Sequence, residues 1–314
     1  MIMKFKRLKI KIANVPIEIQ IDRRFNNIYN LISQFNKYNK YTTLKIKISK
    51  SSTRSVNLSK NFKQINITGN NIDDLTNPFN IIGIMQAIFR FAGIHSIIKN
   101  IYLLHGSTSI LNKQTLCFGD DGKNMAKTIS SIECALISKK YVGDEFCFLN
   151  MNNKKIFSYS FIPIHLRPKV KKHFIKTHKL LLPRNKYKET KAGYFIEPVR
   201  LFKIIKSKKL SAFIFPHFNN KLIKIKQLDS KQKEKAITAC ISAHLLKLIY
   251  PNLDRMKFIE RTDLIKLRTQ KIEKLKMKLI KELSLRNPIV QIAKSFPCYT
   301  VYIKEPCDIT QIKY

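Results

Sequence analysis

The segment that decides the fold is Gly119-Asp120-Asp121-Gly122-Lys123-Asn124-Met125-Ala126-Lys127-Thr128. A phosphate-binding loop needs small residues, so that backbone N–H groups can wrap the anion, and a helix that begins directly after it. It also needs a lysine to reach the β- and γ-phosphates and a hydroxyl group to bind a magnesium ion. Lys127 and Thr128 supply these two groups. The segment therefore predicts a nucleotide-phosphate-binding loop.

The spacing of this loop departs from the common GxxxxGK[ST] pattern. Counting back from Lys127, the two glycine positions hold Asp121 and Ala126, and the glycines of the segment lie further upstream. The alternative interpretation is a polar turn before a helix, in which Asp120 or Asp121 acts as a cap.

The neighbouring residues favour the phosphate loop. Upstream, Leu104-His105-Gly106-Ser107 precedes a predicted strand pair that ends at the loop. Downstream, Asp144 and Glu145 follow a short apolar run. Carboxylates at that position can hold a magnesium ion or accept a proton from an attacking hydroxyl group. The alternative for this acid pair is exposure at the end of a strand.

The order of the surrounding elements predicts an α/β core. Short apolar runs occur at Ile101–His105, Leu116–Phe118 and Phe146–Leu149, and residues Ala126–Ile137 have helical periodicity. Strand, loop, helix and strand in this order are typical of mononucleotide-binding folds.

Together these motifs resemble the C-terminal domain of the HPr kinase/phosphorylase family, which shares its P-loop core with phosphoenolpyruvate carboxykinases. Such proteins carry a His-Gly before the loop, a Gly-Asp-Ser-Gly-type loop that ends in Gly-Lys-Ser, and paired acids at the next strand. The resemblance covers about residues 100–225. It implies transfer of phosphate from ATP to a hydroxyl group, with ATP and Mg²⁺ as cofactors.

The resemblance also implies a role for each matching residue. The catalytic residues would be Asp144, Glu145 and His105, and the magnesium ligands would be Thr128 and Asp144. The nucleotide-binding residues would be Gly119, Asp120, Gly122, Ala126, Lys127 and Thr128. Two departures stand out. Ala126 replaces the glycine before the lysine, where it crowds the β-phosphate, and the signature by which HPr kinases hold their protein substrate is not found.

The sequence thus predicts an α/β protein with a PEP carboxykinase/HPr-kinase-like P-loop core at residues 98–225. An N-terminal α+β domain is expected at residues 1–97, where alternating strands flank a helix and a buried helix follows. A C-terminal helical region with a final short strand is expected at residues 226–314. Residues 166–191 are basic and irregular and indicate a flexible loop.

Histidines outside these motifs have simpler interpretations. His95 and His244 are expected to be packed or surface residues, and His173 and His178 to be solvated. The long lysine-rich helix expected at residues 255–284 indicates a solvated or partner-facing surface rather than a nucleic-acid-binding one, because Phe258 is its only aromatic residue.

The chain is strongly basic, with 60 Lys and Arg residues against 20 Asp and Glu residues and a net charge of +40. Such a field attracts phosphates on nucleotides, nucleic acids or lipids. The competing interpretation is compositional, because Lys, Ile and Asn have AT-rich codons and the basic residues are spread along the chain. The scarcity of acids leaves an anionic partner open.

Cysteine usage and hydropathy suggest a cytoplasmic protein. The six cysteines form no CxxC pair and do not cluster with histidines at metal-ligand spacing, which argues against a zinc site. The N-terminus lacks the apolar region of a signal peptide. The apolar run Ile81–Ile94 contains Arg90 and is expected to be too short to span a bilayer.

The first functional hypothesis is an ATP-dependent phosphotransferase acting on a hydroxyl of a small molecule or peptide. The second is a non-catalytic nucleotide-binding or peptide-handling protein with the same fold. The third is a basic nucleic-acid-binding protein.

Overall fold

The computed structural model describes residues 5–120, 126–159, 161–179, 193–219, 223–249 and 262–311. Helices and strands both occur throughout the described part of the chain, which makes it a mixed α/β protein, as the sequence predicts. The chain divides into two compact units. The first comprises residues 1–99 and 161–200, and the second comprises residues 100–160 and 201–314.

The elements fall in three stretches of the chain. Up to residue 99 they are β1 (Phe5–Ile12), β2 (Val15–Asp22), α1 (Asn26–Ile32), β3 (Asn36–Lys37), β4 (Lys45–Lys50), β5 (Ser55–Leu58), β6 (Gln64–Gly69) and α2 (Pro78–Ser96). Up to residue 200 they are β7 (Ile101–Leu111), β8 (Gln114–Gly119), α3 (Lys127–Ser138), β9 (Lys140–Gly143), β10 (Phe146–Asn150), β11 (Lys155–Phe157), β12 (Ile164–Leu166), α4 (Pro168–His178) and β13 (Tyr194–Ile196). The remaining elements are β14 (Lys203–Ile204), β15 (Ser207–Lys209), β16 (Ala212–Phe218), β17 (Lys224–Gln227), α5 (Ser230–Ile249), α6 (Thr262–Glu282), α7 (Arg286–Ser295) and β18 (Cys298–Ile303).

The first unit contains a mixed sheet of strand order β3-β1-β2-β4-β6-β5. Its first hairpin turns at Ala13 and Asn14, which both have positive φ, as a two-residue hairpin turn requires. The register pairs Ile10 with Ile17, so the isoleucines that alternate along β1 and β2 are buried on one face.

α2 is an apolar helix of the first unit. Asn77 caps its first turn by accepting a hydrogen bond from the Phe79 N–H, and Pro78 occupies the first position. With its 3-10 extension the helix covers Pro78–Lys99, long and apolar enough to cross a membrane by length and composition. The length of this helix contradicts the expectation that the apolar run is too short to span a bilayer. In the most apolar stretch of this helix, 67% is buried inside the protein, which is typical of a core helix.

The second unit is built on a mixed sheet whose main strand order is β15-β11-β10-β7-β8-β16-β18-β17. β8, β16 and β18 run parallel, and β7 is antiparallel to both of its neighbours β8 and β10. β9 pairs with β7 and with β14. The parallel strands are buried along their apolar runs, as expected for strands in the interior of such a sheet.

Several further sequence predictions are confirmed and another is wrong. α1, α3, α5 and β18 lie where the hydrophobic periodicity places them. The predicted long helix at 255–284 corresponds to α6, and its residues 255–261 lie outside the described part of the chain. The predicted loop at 166–191 is wrong over Pro168–His178, which form α4: Pro168 occupies its first turn, and the apolar Phe174 is buried.

Candidate active site

Strand β7 brings the candidate site together, because it pairs with the end of β8 on one side and with the start of β10 on the other. Gly106 lies opposite Gly119, the last residue of β8. His105 lies opposite Phe146, the first residue of β10. The middle of β7 therefore lies next to both the segment predicted to bind phosphate and the acid pair.

Asp144 and Glu145 form a break between two strands that pair with the same edge of β7. Gly143 of β9 lies opposite Thr108, and Phe146 of β10 lies opposite His105. Glu145 has a φ of 62°, a left-handed conformation that is uncommon for residues other than glycine. The chain therefore leaves the extended conformation where the two carboxylates are, and local backbone strain of this kind is often found at functional sites.

Lys127, the first residue of α3, lies between these two acids. Its Nζ atom is 2.6 Å from Oε1 of Glu145 and 3.8 Å from Oδ1 of Asp144. Only 8% of its side chain is exposed. Although burial lowers the pKa of Lys127, the charges of Glu145 and Asp144 raise it above its ordinary value. Lys127 is therefore a fixed positive charge at the start of the helix.

Thr128 and Asp144 form the second contact between the helix and the acid pair. The Thr128 hydroxyl donates a hydrogen bond of 3.0 Å to Oδ1 of Asp144. Burial raises the pKa of Asp144, Lys127 opposes this, and the nearby charge of Glu145 adds to it, so that the pKa lies above its ordinary value. The two residues predicted to bind magnesium are thus neighbours in space.

His105 connects Glu145 with the start of the loop. Its Nε2 donates a hydrogen bond of 3.0 Å to Oε2 of Glu145, and its Nδ1 lies 3.5 Å from Oδ2 of Asp120. Partial burial alone raises the pKa of Glu145, but Lys127 and His105 hold it well below its ordinary range. Glu145 is therefore ionised at neutral pH, and its side chain is 37% exposed.

Of the segment predicted to bind phosphate, the structure describes the residues at its two ends. Gly119 ends β8, and a Cβ atom there would lie 2.6 Å from Sγ of Cys240 and from Cε1 of Phe215, so only glycine fits. Ala126 precedes α3 with a φ of −84°, a conformation open to any L-residue, so this position does not require glycine. Gly122 lies outside the described residues.

The structure adds two residues that the sequence pattern did not single out. His244 of α5 is buried, and its Nε2 donates a hydrogen bond of 2.7 Å to the backbone carbonyl of Glu145. One turn earlier, Cys240 donates to the backbone carbonyl of Asp120 at 3.6 Å. Their spacing of four residues, which puts two side chains on one face of a helix, was the available signal.

Two sets of side chains in the site have the chemistry of metal ligands. Oxygen atoms of Thr128 and Asp144 suit a hard cation such as Mg²⁺. Nitrogen and oxygen atoms of His105, Glu145 and His244 lie within 4.8 Å of one another, a donor set closer to that of transition metals. The hydrogen bonds of His105 and His244 and the ion pair of Lys127 join this second set into one polar network.

The arrangement combines a lysine at a helix N-terminus, a hydroxyl next to it, and carboxylates that face both. It can bind an anionic phosphate chain, hold a divalent cation and accept a proton. Neither a scan against models of protein families nor a search of curated proteins finds a match for this chain.

Proposed function

We propose that this protein is a magnesium-dependent phosphotransferase that moves the terminal phosphoryl group of ATP to a hydroxyl group. The observation that carries the proposal is the contact of Lys127 and Thr128, at the start of α3, with Glu145 and Asp144. The finer fold belongs to the same proposal. The order of β8, loop, α3 and β9, with His105 on the neighbouring strand, supports a core of the PEP carboxykinase/HPr-kinase type.

The start of α3 is suited to binding phosphate. The residue before the helix, Ala126, has no side-chain acceptor, so it cannot occupy the first N–H groups of the helix as Ser or Asp would. Lys127 adds a full charge at the same end. When a nucleotide binds, Lys127 exchanges part of its contact with Glu145 for the phosphate oxygens.

The donor set at Thr128 and Asp144 fits Mg²⁺. Adjacent ligands of an octahedral magnesium ion at 2.0–2.1 Å lie about 2.9 Å apart, and the two oxygen atoms are 3.0 Å apart. Magnesium also retains waters and binds substrate phosphates, so two protein ligands suffice. When bound, the ion would neutralise charge on the phosphates. The charge of the site favours it, since the carboxylates of Asp120, Asp144 and Glu145 outnumber Lys127.

In this proposal Glu145 accepts the proton of the acceptor hydroxyl, and His105 assists it. Glu145 takes the proton of the acceptor hydroxyl as the acceptor oxygen bonds to the terminal phosphorus and the bond to the ADP leaving group breaks, with ADP keeping the electron pair. His105 donates to Glu145 and orients its carboxylate. Because the pKa of Glu145 is low, the carboxylate is available as an acceptor at neutral pH.

The experiment that tests this proposal is release of phosphate from MgATP, with water as the default acceptor and peptides or small alcohols added in turn. We expect turnover in the native protein and its loss in Glu145→Gln. The variant Glu234→Gln, on the first turns of α5, is the control. Phosphate release that is equal in all three proteins, or absent from the native protein with every acceptor, would contradict the proposal.

A second candidate is a nucleotide-binding protein without turnover. The observation that favours it is the 2.6 Å contact between Lys127 and Glu145, which occupies both the phosphate-binding lysine and the proton acceptor. This alternative predicts that the native protein binds MgATP without releasing phosphate. It also predicts that the Glu145→Gln protein binds MgATP as tightly as the native protein does. Both candidates suit a cytoplasmic protein, because all six cysteines are free thiols.

A further inference from the structure

Glu145, the proposed proton acceptor, has an uncommon backbone conformation. Its φ of 62° is left-handed, and a residue with a Cβ atom adopts this only at a cost in free energy. The carboxylate nevertheless makes two directed contacts, to Nζ of Lys127 at 2.6 Å and to Nε2 of His105 at 3.0 Å. A restraint on the backbone of Glu145 is therefore needed to keep both contacts.

His244 contacts that backbone directly. Its Nε2 donates a hydrogen bond of 2.7 Å to the carbonyl oxygen of Glu145. Its ring stacks on the next residue, Phe146, with centroids 4.5 Å apart and planes 24° apart. The same ring meets His105 edge-on at 4.7 Å. One buried side chain thus contacts Glu145, the residue after it and the histidine that binds its carboxylate.

The face of α5 that carries His244 makes a second contact with the site through Cys240. Cys240 lies one turn earlier, on the same face of α5, and its thiol donates to the carbonyl of Asp120. Gly119 lies against the same cysteine so closely that a Cβ atom would not fit. One face of α5 therefore supports the start of the phosphate loop with Cys240 and the acid pair with His244.

We infer that His244 is a positioning residue of the phosphotransfer site, which holds the Glu145 backbone so that its carboxylate faces Lys127 and His105. The inference rests on the proposed function for its catalytic consequence, but the structural restraint can be measured without turnover. Groups that orient the ligands of a metal site through a hydrogen bond commonly change activity by about 10- to 100-fold when removed, and we expect an effect of the same size for a group that orients Glu145.

Three full-length variants separate positioning from packing. His244→Phe keeps an aromatic ring on Phe146 but cannot donate a hydrogen bond. His244→Gln restores a donor at nearly the same distance from the backbone. Leu248→Ala, one turn further along α5 and equally buried, is the control for lost packing.

In phosphate release from MgATP, we expect His244→Phe to lower kcat by about 10- to 100-fold, with KM changed by less than about threefold. His244→Gln should recover most of the loss, and Leu248→Ala should lower only the melting temperature. Equal kcat values for His244→Phe and Leu248→Ala, or no recovery in His244→Gln, would overturn the positioning role.

Backbone hydrogen exchange gives the readout that does not depend on activity. We expect the segment that contains Gly143–Cys147 to exchange faster in His244→Phe than in Leu248→Ala or His244→Gln. Faster exchange in His244→Phe, together with a native protein that fails to turn over MgATP, would retain the restraint and reject the proposed function. Equal exchange in the three variants would reject the restraint itself.

Discussion

At the scale of single residues, the positions of the acidic side chains are the strongest argument for a functional site. The chain has only 20 Asp and Glu residues against 60 Lys and Arg residues, yet Asp120, Asp144 and Glu145 lie together around His105 and Lys127. Carboxylates in one partly buried cluster repel each other, and taking them out of water costs free energy. Codon composition would account for a basic surface, but it would not account for the gathering of rare acids at a helix N-terminus.

The role of Asp144 can be tested by removing its charge while keeping its shape. We expect Asp144→Asn to retain part of the MgATP affinity and to lower kcat by about 100-fold or more, because electrostatic stabilisation matters most in the transition state. Steady-state kinetics and calorimetric titration of the same preparations measure both quantities. Asp229→Asn, in an exposed position before α5, is the matched control. A kcat of Asp144→Asn equal to that of the native protein would contradict the assignment of Asp144 to the site.

The residues of the site differ in how far the sequence reveals them. Lys127, Thr128, Asp144 and Glu145 could be proposed because each lies in a short motif whose chemistry is local. His244 lies outside every motif, and the sequence favours a packed or surface role for it. It is packed, on Phe146. Its hydrogen bond to Glu145 depends on how α5 packs against the sheet, which no local pattern encodes.

At the scale of elements, the close approach of β8 to α5 gives a test of the packing behind the loop. We expect Gly119→Ala to lower the free energy of unfolding by about 1–3 kcal/mol, because its Cβ atom would overlap Cys240 and Phe215. Gly83→Ala in α2 is the control, since its Cβ atom would meet only the flexible end of Arg54. Chemical denaturation measures both variants. Equal stabilities of the two variants would contradict the close packing of β8 against α5.

The end of strand β2 gives a pH-dependent test. Arg24 makes hydrogen bonds of 2.6 and 2.9 Å to the buried Asp22, which lowers the pKa of Asp22 to about 2 although burial opposes this. Because the folded-state pKa is depressed, the stabilisation is present above pH 4 and is lost as the pH falls towards 2. Since Arg24 is mostly exposed, we expect Asp22→Asn to cost about 1 kcal/mol at pH 6. Urea unfolding at pH 6 and pH 2.5 measures the difference, and a cost that does not shrink at the lower pH would contradict it.

The elements also show what periodicity can and cannot predict. The apolar spacing of α5 and the alternation of β1 and β2 define these elements from local sequence. α4 was missed because it is lysine-rich and its inward-facing apolar residues are limited to the half-buried Val170 and the buried Phe174 four residues later. The pairing of β7 with both β8 and β10, which assembles the site, is non-local. No single stretch of sequence contains the register that places His105 next to Glu145.

At the scale of the whole molecule, the net charge of +40 makes a separate prediction. If most of this charge is compositional, polynucleotide binding is weak and independent of sequence, and it fades between low and physiological salt. Fluorescence anisotropy with several unrelated DNA and RNA oligonucleotides, across a salt series, measures this. Submicromolar, sequence-selective binding at physiological salt would instead support the nucleic-acid-binding alternative.

The central claim is that MgATP binds at the start of α3, and thermal unfolding tests it most directly. MgATP at a hundredfold excess over its dissociation constant should stabilise the native protein by about 2.7 kcal/mol. Lys127→Ala should lose most of this stabilisation, as should the native protein when magnesium is removed. Lys140→Ala, which removes an exposed lysine of β9, should keep it. A native melting temperature that does not change in millimolar MgATP would contradict the claim.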